Sequence, residues 1–118
     1  MQKIAIVILA DTTPAEGLGR VLNGLMAAKE FKEAKDEVQV MFSGAGTKWI
    51  GELANPDHKL HGVYTDLQSS IVGACGFCAG AFGVADSIKN SGVSLLEEYG
   101  TNMSFRRLTE EGYQVITF

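Results

Sequence analysis

The chain has 118 residues, of which 46% are hydrophobic and 20% charged, and its net charge is −4. That length holds one domain over residues 1–118 with no room for a second, and the composition lies far from that of a disordered chain. Lys and Arg are scattered without a basic run, which argues against nucleic acid or an anionic membrane as a partner.

Ile4-Ala5-Ile6-Val7-Ile8-Leu9 is a continuous apolar run that suits a central parallel strand covered on both faces. As a secretory core it is at the short limit, lacks an Ala-x-Ala cleavage pattern and runs directly into Asp11, so the expected location is cytoplasmic. No stretch reaches the ~18 apolar residues of a membrane span. Thr13 is expected to cap the first helix, with Pro14 as its first residue and Glu16 as the reciprocal member of a capping box. Leu18, Val21, Leu22, Leu25 and Met26 then fall on one helical stripe, and the helix ends near Lys35-Asp36.

Val38, Val40 and Phe42 mark a second strand, left by the loop Ser43-Gly44-Ala45-Gly46-Thr47. A dinucleotide fingerprint would need glycine where Trp49 stands, so this loop reads as a strand-to-helix turn with Thr47 as cap. Trp49, Ile50 and Leu53 predict a short helix, Asn55-Pro56-Asp57 a turn, and Leu60, Val63, Tyr64 and Leu67 another helical stripe. From Ser70 the chain reads as a short buried strand ending at Cys75, a tight turn at Gly76, and a helix carrying Cys78. Gly83 separates this helix from Ala85 to Asn90, and Val93 to Leu96 forms a short strand. Ser104 caps a last helix with Phe105 and Leu108, Gly112 stops it, and Tyr113 to Phe118 is the final strand.

Strands alternating with helices predict right-handed crossovers and a three-layer α/β fold, a five-stranded parallel sheet of flavodoxin-like topology. The expected strand order is 2-1-3-4-5. In that order the first and third strands are neighbours, and the Asp11 to Glu16 loop meets the turn at Cys75 in a ligand crevice.

The chemistry concentrates on Cys75 and Cys78. A thiol where a strand hands over to a helix N-terminus is favoured as thiolate, and a fall in pKa from about 8.5 to about 7 raises the ionised fraction from a few per cent to half. Without an export signal, two cysteines three apart are more often reactive or metal-binding than a structural staple. His58 and His61 would complete a zinc ligand set, but the expected sheet order places them near the opposite end of the third strand, so no metal is assigned. Asp11 and Glu16 would repel phosphate, which disfavours a flavin mononucleotide and leaves no expected cofactor. Asp11, Thr12, Thr13 and Gly76 are the expected pocket lining, with Thr12 and Thr13 as donors to a sulfur anion on Cys75. A thioredoxin-like fold would set a proline from a later strand opposite the cysteines, whereas Pro14 and Pro56 both precede them.

Together, the opening strand Lys3 to Leu9, a cysteine ending the third strand, a helix closing in Gly83-Val84 and the terminal Tyr113-Gln114-Val115-Ile116-Thr117-Phe118 make the whole chain resemble the DsrE/DsrF-like family, with its YchN-like and TusBCD-type sulfur-relay subunits. The resemblance implies a single three-layer domain, trimers or hexamers, and a persulfide-bearing cysteine, matched here by Cys75. Cys78 goes beyond the single-cysteine pattern and could attack a persulfide on Cys75. Three functions stay open: a sulfur carrier or sulfurtransferase-like subunit served by sulfur donor and acceptor proteins, a dithiol–disulfide redox protein using both cysteines, and a non-catalytic oligomeric binding or scaffold subunit. The apolar final strand, with Trp49, Phe77 and Phe82 near loops, predicts a homo-oligomer.

Overall fold

Ile4, Ile6 and Ile8 point to one face of the first strand and Ala5 and Val7 to the other, and all five are buried. This is why the run has no polar alternation: each face meets its own apolar layer. In the computed structural model, which describes residues 1–118, the strands are β1 (Lys3–Ile8), β2 (Glu37–Phe42), β3 (Ile71–Cys75), β4 (Leu95–Leu96) and β5 (Gln114–Thr117). All pair in parallel. The helices are α1 (Glu16–Glu33), α2 (Trp49–Leu53), α3 (His61–Asp66), α4 (Gly76–Ala81), α5 (Ala85–Asn90) and α6 (Phe105–Glu110). The three-layer α/β class with one five-stranded parallel sheet is as expected.

The strand order is not. The sheet runs β4-β3-β2-β1-β5, so β2 separates β1 from β3, and the expected 2-1-3-4-5 order with adjacent first and third strands is corrected. The reason lies in the helices. Right-handed crossovers that keep stepping in one direction put their helices on one face, and α1 to α5 all stack there. Val21, Leu25, Trp49, Ile50, Leu53, Tyr64, Ala79 and Ile88 join Ile4, Ile6, Ile8, Val40, Phe42 and Ala74 in a single core. The step from β4 to β5 reverses direction, so α6 alone covers the other face, where Leu108 packs with Ala5, Val7, Met41, Cys75, Met103 and Tyr113. Periodicity marks which face of a helix is buried but not which neighbouring helix shares that layer.

Several boundaries also depart from expectation. α1 starts at Glu16 rather than Pro14: the Glu16 N–H donates to the Pro14 carbonyl at 2.8 Å, and Ala15 sits at φ 64°. Thr13 still accepts from the Gly17 N–H at 3.0 Å, but Glu16 pairs with Arg20 at 3.0 Å instead of closing a capping box. A Cβ on Gly17 would stand 2.0 Å from the Asp11 carbonyl oxygen, so the close passage of the loop delays the helix. Thr47 caps nothing; its hydroxyl donates back to the Gly44 carbonyl inside a 3₁₀ turn over Gly44–Lys48. Ser104 does cap α6, accepting the Arg107 N–H at 3.1 Å. No helix is long and apolar enough to cross a membrane.

Candidate functional site

Cys75 is the last residue of β3 and the N-cap of α4, so its thiol sits where the strand ladder ends and the free N–H groups of a helix begin. Its side chain points to the α6 face and is buried, 1% exposed, whereas Cys78 in the first turn of α4 is half-buried. Neither cysteine is in a disulfide. Burial pushes the Cys75 thiol up, but the backbone N–H groups of Cys78 and Met103, with the Cys78 thiol and the Ser43 hydroxyl, outweigh it and hold the pKa below the ordinary cysteine value.

The neighbours explain how a thiol can be both shielded and activated. The Cys75 thiol donates to Asn102 Oδ1 at 3.7 Å, and Ser43 Oγ lies 3.8 Å from Cys78 Sγ. Ser43 is the residue after β2, which reaches the thiols because β2 adjoins β3. Gly76 belongs to the site for a steric reason: a Cβ there would stand 2.7 Å from Glu97 Cγ, so only glycine lets that side chain lie against the start of α4. Cys75, Gly76 and Cys78 thus come together with Ser43, Asn102 and Met103. The latter three were not anticipated. Ser43 becomes visible only once β2 and β3 are known to be neighbours, and Asn102 and Met103 carry no pattern of their own.

Asp11, Thr12 and Thr13 are not part of this cluster. They follow β1, two strands away, so the expectation that all three line the Cys75 pocket, with Thr12 and Thr13 as donors to its sulfur, is corrected. Asp11 instead pairs with Lys48 at 2.6 Å, which is the main reason its carboxyl lies below the usual range, and it accepts from the Thr12 N–H at 2.7 Å. With β5 on the far side of β1, the switch point falls between these two strands. A separate pocket of about 460 Å³ opens there, lined in part by Asp11, Thr13, Glu16 and Phe118.

The histidines are engaged locally. His58 Nδ1 accepts from the Leu60 N–H at 3.0 Å, and His61 Nδ1 lies 2.8 Å from the Leu53 carbonyl oxygen. No three His, Cys, Asp or Glu side chains converge as a metal-holding group.

Fold and site together define an all-parallel α/β protein with a free cysteine pair at the carboxyl edge of its sheet. No protein-family model matches the sequence. The uncharacterized protein MJ0733 of Methanocaldococcus jannaschii is 27% identical over 96 residues, which cover 81% of this chain and 78% of that protein. Among solved structures, a conserved protein of unknown function, BT1422 from Bacteroides thetaiotaomicron, matches with a TM-score of 0.62 and 23% identity over 97% of this chain and 94% of that one. The structural match shows a shared fold.

Proposed function

We propose that this protein is a sulfur-relay protein of the DsrE/DsrF-like kind, in which Cys75 carries sulfane sulfur as a persulfide and Cys78 is its resolving thiol. The observation that supports this most directly is Cys75 itself, a buried thiol held toward thiolate by N–H groups that outweigh burial. A thiolate is the attacking species in sulfur exchange, and exclusion of water and stray thiols protects the product.

In the loading step the Cys75 thiolate attacks the outer sulfur of a donor persulfide. A bond forms between Cys75 Sγ and that sulfur, the donor's S–S bond breaks, and the donor leaves as a thiolate. An acceptor thiolate removes the sulfur by the same exchange. Alternatively Cys78 attacks Cys75 Sγ, giving a Cys75–Cys78 disulfide and hydrosulfide; an external dithiol reductant then resets the pair. Two free thiols fit a reducing, cytoplasmic setting.

The relay would work as a homo-oligomer, a trimer or hexamer, meeting donor and acceptor proteins. Phe77 and Phe82, 56% and 44% exposed, support this. Trp49 does not: it is buried, and its Nε1–H donates to the Ala10 carbonyl at 2.9 Å.

Intact mass after exposure to a polysulfide donor tests the reading. Cys78→Ser should gain a lasting roughly 32 Da, one sulfur atom, the native protein should hold that gain only until Cys78 resolves it to the disulfide, and Cys75→Ser should gain none. An adduct that persists in Cys75→Ser and vanishes in Cys78→Ser would overturn the assignment of the nucleophile. The greater exposure of Cys78 favours a second reading, a dithiol–disulfide protein, for which either substitution abolishes turnover. Thiols that resist every reagent until unfolding would leave only a structural role.

A further inference from the structure

Cys75 is shielded by the segment Glu97–Met103, which joins β4 to α6 and whose attachment is unlike that of any core element. From Glu97 to Asn102 every residue is exposed, with Tyr99 at 76%, and Met103 is the only buried side chain of the segment. Its internal order is a tight hairpin: the Glu98 and Tyr99 N–H groups both donate to the Asn102 carbonyl, at 2.8 and 2.9 Å, and the Asn102 N–H returns to the Tyr99 carbonyl at 2.9 Å. Gly100, at φ 60°, makes the turn.

Beside the bond from the Cys75 thiol to Asn102, three attachments hold this hairpin to the body. The Phe77 N–H, in the first turn of α4, donates to the Thr101 carbonyl at 2.7 Å. The Glu98 carboxylate accepts from the Ser104 N–H at 3.1 Å and pairs with the Arg107 guanidinium, an ion pair whose side chains are 27% and 28% exposed. Arg107 is braced in turn by Glu111 at 3.0 Å. The third is Met103, which packs against the Cys75 cluster on one side and lines an open cavity of about 830 Å³ on the other, between the hairpin and α6. Segments held by a few exposed hydrogen bonds and little buried apolar surface open locally at far lower cost than the global fold.

We propose that Glu97–Met103 is a strap that closes over Cys75, with the Arg107–Glu98 ion pair as its latch, and that its release opens Cys75 toward the cavity beside α6. The need for such a device rests on the sulfur-relay reading, because a fully shielded persulfide can be neither loaded nor delivered; the strap itself is a property of accessibility. Arg107 and Glu98 act through the strap and touch no reacting atom. The surrounding cavity gives Met103 room to withdraw without displacing β3 or α4.

The test uses full-length protein carrying Cys78→Ser, so that Cys75 is its one thiol, and measures the rate of alkylation by iodoacetamide at neutral pH. Arg107→Gln and Glu98→Gln should each accelerate the reaction by about tenfold or more while the denaturation midpoint stays well clear of the assay conditions. Arg106→Gln, which breaks only the Arg106–Glu110 pair along α6, should leave the rate unchanged. Latch variants that remain folded and react at the rate of Arg106→Gln would overturn the proposal. Should a latch variant fail to fold, amide exchange in the parent decides: the Phe77 N–H, bonded to the strap, should exchange at least about tenfold faster than the Ala74 N–H, bonded to the Ser94 carbonyl. Equal protection of the two amides would likewise overturn it. Neither measurement uses a sulfur donor, so failure to load sulfur would sink the relay reading and leave the strap standing.

Discussion

The thiol of Cys75 donates to the side-chain oxygen of Asn102 across 3.7 Å, joining the end of β3 to the strap. The pair changes sense on ionisation. A thiolate has no proton to give, and a half-turn of the amide presents Asn102 Nδ2–H to it instead. One neutral side chain can therefore serve the thiol, the thiolate and a persulfide in turn.

Asn102→Asp removes that adaptability at almost constant volume. A carboxylate facing Cys75 disfavours the thiolate, so the pH midpoint of Cys75 alkylation, measured in the Cys78→Ser protein, should move upward. With Asn102 in place the midpoint should lie below the ordinary cysteine value of about 8.5. Coincident profiles with and without the Asn102→Asp substitution would mean that the amide does not govern the charge on sulfur.

Gly46 tests the loop that carries Ser43 to the thiols. A Cβ there would stand 2.1 Å from the Ile8 carbonyl oxygen and 2.7 Å from its carbon, contacts with backbone that no rotamer change relieves. Gly46→Ala should lower stability by about 2–3 kcal/mol, read as a lower denaturant midpoint at unchanged slope. Gly80→Ala, whose Cβ meets nothing within 4 Å, should not.

The pH dependence of stability should carry the signature of Tyr113 and Glu37, whose side chains meet at 2.5 Å with the phenol donating. Burial, then the hydrogen bond to Glu37, pushes the Tyr113 pKa up to about 12. A raised pKa contributes stability below the unfolded value of about 10 that is lost as pH climbs toward the folded value. The bond from Tyr113 holds the Glu37 carboxyl below its usual range, so its contribution is present above the unfolded value of about 4.3 and is lost as pH falls through the lower folded value. The difference in denaturation midpoint between native protein and Tyr113→Phe should be largest near neutrality and shrink on both sides. A difference constant from about pH 4 to about pH 11 would rule the pair out as the source.

Much of the architecture was legible in the chain. Ile4 to Ile8 read as a strand buried on both faces, because successive apolar residues leave neither face for water, and only Leu9 of that run falls outside β1 and is exposed. Ala85 to Asn90 begins and ends where its flanking residues predicted, and Ser104 caps the last helix as its position before Phe105 implied. Cys75 at a strand-to-helix junction was equally readable, since that junction is local. The capping signals at Thr13 and Pro14 point to a start for α1 about two residues early, because the contact that delays it, Gly17 against the Asp11 backbone, is made by a folded loop.

What the sequence alone determined, then, was what each segment is: strand or helix, its buried face, and a thiol at a helix start. Only the tertiary structure decided which segments are neighbours. Whether the third strand joins β1 or β2 depends on how α1, α2 and α3 share one layer, an energy spread over Val21, Leu25, Ile50, Leu53 and Tyr64 rather than written at any residue. That choice separated Asp11, Thr12 and Thr13 from Cys75 and set Ser43 beside Cys78 in their place. The strap was hidden for the same reason, for Glu97 to Met103 has no periodicity, and Asn102 and Arg107 acquire partners only when β4 carries the chain back across Cys75.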